Sequence, residues 1–289
     1  MRQVSVKKWL KAASRAGFIP TVPIIIMVLI VLTALLAPLI APYSPIKGSL
    51  PDKLVPPAWV EGGSMEHVLG TDFLGRDVLS RIIHGTRVSL LVSLLAVFVA
   101  GAFGTSVGLI SGFFGGRIDS LLMRITDIGL SLPMILMAIV LVTAVGPSFG
   151  NVILVIVVLL WPRYARQIRG EVLSVKEREF VALAHIADCS PFRIITRHLL
   201  PNVMPTLLVL ATLQVGFVIL LEAGLSFLGV GIPAPTPAWG LMVAEGRGLI
   251  ASAWWLSLFP GIAILLAVLS VNLLGDWTRD RLDPKLRQV

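Results

Sequence analysis

The chain has 289 residues, 56% of them hydrophobic and 14% charged, with a net charge of +8 and a mean hydropathy of +0.91. Soluble domains carry about 25% charged residues, so this composition excludes an ordinary soluble enzyme and reads as an integral membrane protein. A single cysteine, Cys189, excludes an internal disulfide and any cysteine-based metal centre.

A membrane span takes roughly 20 residues, and the sequence predicts six. The first, Ile19–Ala41, follows a tail (1–18) that holds Arg2, Lys7, Lys8, Lys11 and Arg15 and no acid. The run is too long for a signal peptide and no small-x-small cleavage site follows it, so an uncleaved anchor is expected. A polar, proline-rich loop covers 42–87. Within it, Gly70–Arg81 predicts a turn and a surface helix, with Asp72 as a cap rather than a ligand. The second span, Val88–Ile110, carries Gly104, Gly108 and Gly112 at steps of four. Such a ridge admits a close helix, from the same chain or from a second subunit. The third span is expected over Asp119–Val145, ending at Gly146-Pro147-Ser148.

The fourth rests on only ten clean apolar residues, Val152–Trp161. Asn151 is its expected cap, and Arg163 and Arg166 share a face from which they snorkel to the interface. Its short apolar length suggests shielding by protein. The fifth span is Val203–Leu228 and the sixth Leu256–Leu274. The five later spans make a core over 88–275, followed by a tail over 276–289. Trp254 and Trp255 at one end of the sixth span, and Trp277 at the other, fit interfacial aromatic belts. Pro233, Pro235 and Pro237 with Trp239 predict a stiff loop that packs into a pore mouth or touches an external protein.

With six spans both termini share one side. That side holds 18 of the 24 basic residues and the other holds Lys47, Lys53, Arg76, Arg81, Arg87 and Arg247. The bias puts both termini in the cytoplasm and makes 42–87 extracytoplasmic. It also accounts for most of the positive charge without nucleic acid.

The chain has no G-x-x-x-x-G-K-[ST] and no Gly-Lys dipeptide, so it does not bind ATP through a P-loop. Its histidines (His67, His84, His185, His198) are scattered and make no metal motif. Ionisable residues inside the spans are Arg124, Asp127 and Glu222. Ion-coupled carriers place such residues mid-membrane, so their scarcity argues against a self-powered transporter. Glu222 reads first as a hydrogen-bonded structural carboxylate, and alternatively as a pathway residue.

The loop 163–202 has the strongest pattern. Ser174-Val175-Lys176-Glu177 reads as a capping box opening a helix near Val175. Phe180, Leu183, Ala184 and Ala187 form its expected packed face. Asp188-Cys189-Ser190-Pro191 ends it. Ser190 as cap and Pro191 in the first turn start a second helix, with Phe192, Ile195 and Leu199 on one face, ending near Pro201. Such a pair is either an interfacial element lying on lipid or a docking knob for a soluble partner.

Four stretches then carry a resemblance. EREFVALAHIADCSPFRIITRHLLPN (177–202) resembles the EAA loop, E-A-A-x(3)-G-x(9)-I-x-L-P, of binding-protein-dependent ABC importer permeases. GTDFLGRDVLSR (70–81), EAGLSFLG (222–229) and the tail from Gly275-Asp276-Trp277 to Leu282-Asp283-Pro284 are similar to the C-type subunit of the dipeptide/oligopeptide/nickel subfamily. The resemblance implies an all-α, type I importer permease with a cytoplasmic coupling loop between spans four and five. It implies ATPase-coupling roles for Glu179, Ala182, Leu183, Ala184, Asp188, Ser190, Pro191, Leu200 and Pro201. Asp188 stands where the family has a turn glycine; aspartate tolerates the left-handed region, at about 1 kcal/mol.

The implied protein is a non-catalytic permease subunit in a bacterial inner membrane, without cofactor or metal. Its implied partners are a homologous second permease, two ATPases that hold the ATP and magnesium, and an extracytoplasmic binding protein. The solute is expected to be a peptide or a relative of one: nickel chelates, glutathione and peptide antibiotics are carried within the subfamily. The alternative is an ATP-independent carrier or channel. A membrane sensor would need an attached soluble domain.

Overall fold

The computed structural model describes residues 20–282. The tail 1–18, Ile19, and 283–289 with Asp283, Pro284, Lys285 and Arg287 lie outside the described residues. Those described are helical apart from connections and one isolated bridge between Thr71 and Asp77. Five helices are long and apolar enough to cross a membrane, or six spans if one bent pair counts as one.

Helix α1 (Thr21–Ile40) is apolar all round, as a span in lipid should be. It buries only the small side chains of Ala34 and Ala37. Helix α2 (Val78–Phe114) opens with Asp77, whose side chain accepts from Ser80 N at 2.8 Å. The expected surface helix and the second span are therefore one helix. No proline lies between Arg81 and Val88, so the ladder is never interrupted. At 1.5 Å per residue α2 is about 55 Å long, well beyond a hydrocarbon core of about 30 Å.

The third span is not one helix. It is α3 (Gly116–Ser131) and α4 (Met134–Val145), bent by 92° between them. Pro133 disfavours helical geometry at the residue before it, and Leu132 is extended at φ −100° and ψ 146°.

Helix α5 (Phe149–Lys176) is 28 residues long, far beyond the ten-residue apolar run. Arg163, Arg166 and Arg169 sit inside it rather than in a loop. Ser148, not Asn151, is its cap: Ser148 Oγ accepts from Asn151 N at 3.1 Å. The Asn151 amide instead donates to the Val145 and Gly146 carbonyls at 3.0 and 2.9 Å. Because α5 continues to Lys176, the Ser174–Glu177 pattern closes a helix and opens none.

After the short α6 (Glu179–Ile186), α7 runs from Pro191 to Phe227. The expected end near Pro201 is absent. Residues Ile194–Leu199 form a π segment, with Leu200 N donating to the Ile195 carbonyl. The wider turn removes the clash a proline ring makes with an α-helical carbonyl, and the helix passes through. Two elements follow: α8 (Trp239–Gly246) and α9 (Trp255–Leu282).

The closest packing is α2 on α5. A Cβ on Gly108 would lie 2.7 Å from the Ala165 carbonyl oxygen, and one on Gly112 2.7 Å from Val172 Cγ1; Gly104 faces the Trp161 carbonyl as tightly. The glycine ridge is thus used within the chain. The main core joins Ala96, Ala100, Val142, Ile156, Leu160 and Val218, drawn from α2, α4, α5 and α7.

Candidate functional site

The α6–α7 junction is a short knob at the end of the bundle where α2 terminates. Its turn has the full Schellman pattern. Cys189 N donates to the Ala184 carbonyl and Asp188 N to the His185 carbonyl, both at 3.0 Å. Asp188 has φ +54°, so aspartate does adopt the left-handed geometry expected of it. Ser190 Oγ accepts from Arg193 N at 3.4 Å, and Pro191 occupies the first turn as expected.

The packed face differs from the expected one. Val181 and Ala184 are buried with Ile194, Leu199, Phe113 and Val172. Leu183 (63% exposed), Ile186 (82%) and Phe192 (76%) point outward instead, and Ala187 is exposed with them. Helix α6 is only eight residues long, and its N-terminus is fixed by the end of α5 rather than by a capping box. That shifts the buried face by a fraction of a turn. Glu179, Ala182, Asp188, Ser190, Pro191 and Pro201 are exposed, and Leu200 is half-buried. The end of α5 and the knob are both held to α2: Lys176 Nζ of α5 donates to the Phe113 carbonyl at 2.7 Å, and the His185 ring of α6 stacks on Phe113 at 5.9 Å.

At the opposite end, loop 42–77 is held by a buried ionic cluster. Asp72 Oδ1 accepts from Leu74 N and Arg76 N, so it caps the turn as expected. Its Oδ2 also takes Arg76 Nε at 2.6 Å and Arg81 Nη1. Glu245 of α8 completes the set, 2.7 Å from Arg81 Nη1. Two carboxylates thus balance two guanidiniums, as buried charges require. Asp72 is legible in the sequence and Glu245 is not, since 169 residues separate it from Arg76 and no local pattern links them. Trp255 belongs to this end as a strut, not to a lipid-facing belt: it is buried, and its Nε1 donates to the Thr71 carbonyl at 3.1 Å. Trp239 is buried likewise, donating to the Ile82 carbonyl at 3.1 Å.

Glu222 lies in α7 and is 1% exposed. Ser226 Oγ donates to its Oε1 at 2.7 Å and in turn accepts from Ile232 N. Its Oε2 has no partner among the described residues.

Long apolar helices define a polytopic membrane protein, and the described residues include an interhelical knob with an exposed apolar tip. The family described as binding-protein-dependent transport system inner membrane component matches residues 104–288, and the chain belongs to that family. It is 44% identical to the di/tripeptide transport system permease protein DppC of Pseudomonas aeruginosa over 92% of this chain and 88% of the relative. The dipeptide transport system permease proteins DppC of Haemophilus influenzae (43%, covering 92% and 90%) and Escherichia coli K12 (45%, covering 92% and 89%) are comparably similar. The chain is a multi-pass inner membrane permease subunit without a cofactor of its own. ATP hydrolysis falls to separate subunits, and membership implies an ATPase and a binding protein as partners.

Proposed function

We propose that the chain is the C-type permease of an importer for dipeptides or short oligopeptides, paired with a homologous second permease. The observation that carries the solute class is the likeness to three peptide permeases along more than nine-tenths of the chain. Both termini and the knob face the cytoplasm in this reading, which the excess of basic residues on that side supports. Two ATPase subunits dock on the knobs of the two permeases. Residues Glu179, Ala182, Leu183, Ala184, Asp188, Ser190, Pro191, Leu200 and Pro201 make up the element here. The exposed apolar tip of Leu183, Ile186 and Phe192 beside a buried Val181/Ala184 face supports docking, since an outward apolar patch on a rigid element marks a contact surface. ATP-driven closure of the ATPases would draw the knobs together. The helices packed on them then move as units, exposing the path alternately on each side.

The test is uptake in proteoliposomes. The chain with its second permease, ATPases and binding protein should accumulate a labelled dipeptide only when ATP is supplied, and the chain alone should not. Uptake by the chain alone favours the carrier or channel reading. For topology, a membrane-impermeant thiol reagent should leave Cys189 unmodified in intact cells and modify it after lysis.

A further inference from the structure

Helix α5 carries an arginine beside the middle of the apolar run of α7. Arg163 stacks its guanidinium over the Phe217 ring of α7, 4.5 Å from the centroid. Phe217 lies near the middle of the apolar run Val203–Leu228, about 21 Å from one end and about 17 Å from the other at 1.5 Å per residue. Among the described residues no carboxylate and no hydrogen-bond acceptor meets Arg163, and it is only half-buried. The other α5 arginines contrast with it: Arg166 pairs with Asp127 and Arg169 with Asp119. An unpaired cation at this depth is expensive, and such residues face a bundle interior or a watered cavity and mark solute pathways.

A small apolar cleft lies next to this pair. Leu220, Leu221, Gly224 and Leu228 follow Phe217 at helical spacing on one face of α7. With Ile135 of α4 they line a small apolar cleft. A Cβ at Gly224 would meet nothing within 4 Å, so the cleft is open there. Arg163 and Phe217 stand at one end of this face. Its five donors and planar fork suit a carboxylate, while the Phe217 ring holds the fork's other face.

We propose that Arg163 binds the C-terminal carboxylate of a peptide in the translocation path, with the adjoining Leu220–Leu228 face taking an apolar side chain. This rests on the peptide-permease reading above.

The experiment uses the complete reconstituted transporter with saturating binding protein, fed alanyl-leucine or its C-terminal amide. Arg163→Gln should lower uptake of the free dipeptide at least tenfold and leave the amide within twofold of wild type. Uptake of the free dipeptide at the wild-type rate, or equal loss of both, overturns the proposal. If Arg163→Gln does not assemble, or the wild type rejects the amide, thiol labelling decides. With Phe217→Cys in a Cys189→Ser background, an anionic methanethiosulfonate should react faster than a cationic one, and the free dipeptide should slow it. No labelling during turnover, or no preference for the anion, overturns the proposal. A wild-type complex that takes up no dipeptide at all sinks the substrate reading, and this proposal with it.

Discussion

Arg169 grips Asp119 with two parallel hydrogen bonds, Nε to Oδ1 and Nη2 to Oδ2, each 2.6 Å. The pair ties α3 to α5, and the Ser111 hydroxyl, donating to the same carboxylate, brings in α2. Three helices thus converge on one acid near the base of the knob. The bidentate form is the strong geometry for such a pair, although partial exposure limits its worth.

Asp119→Asn and Arg169→Ala should each lower the melting temperature of the purified complex. The double variant should be less destabilised than the sum, giving a coupling of about 1 kcal/mol in a double-mutant cycle. Strict additivity would show that the pair contributes nothing to the α3–α5 contact.

Ala184→Arg should damage the knob. Ala184 is buried against Val181, Ile194 and Leu199, and an arginine there must either bury its charge or displace that face. Displacing the packed face costs several kcal/mol, roughly. The expected readout is loss of ATPase copurification, or hydrolysis no longer coupled to uptake. Wild-type values for both would remove the knob from the coupling mechanism.

Asp188→Gly should be tolerated, and should stabilise the turn by about 1 kcal/mol, because glycine adopts φ +54° without the steric cost aspartate carries. Asp188→Val should be markedly worse than wild type, since a β-branched residue fits that region poorly. Thermal melts of the three complexes rank them, and a valine variant as stable as the glycine one would contradict the strained turn.

Glu222→Gln keeps an acceptor for Ser226 Oγ and should leave assembly intact, with transport changed less than tenfold. Glu222→Ala strands that hydroxyl in a buried site and should destabilise by about 1–3 kcal/mol. Complete loss of transport by a well-assembled Gln variant would move Glu222 into the pathway.

The glycine ridge, the αL turn at Asp188, the Ser190–Pro191 start and the capping role of Asp72 were legible in the sequence. Each depends on a local rule: a missing side chain, a tolerated dihedral, a short-range hydrogen bond. The apolar runs likewise marked the spans, because burial in lipid is a property of composition. Tertiary structure decided what local pattern leaves open. Ser174–Glu177 looks like a helix start, yet α5 arrives already hydrogen-bonded and simply ends there. Pro201 looks like a stop, but the π segment before it lets α7 continue. Asp119–Val145 has the composition of one span, and Pro133 bends it by 92°. Arg163 reads as a loop charge because hydropathy averages over neighbours. Only the packing of α5 against α7 sets it beside Phe217, 54 residues away in sequence, because that proximity follows from the helix crossing and from no local feature of the chain.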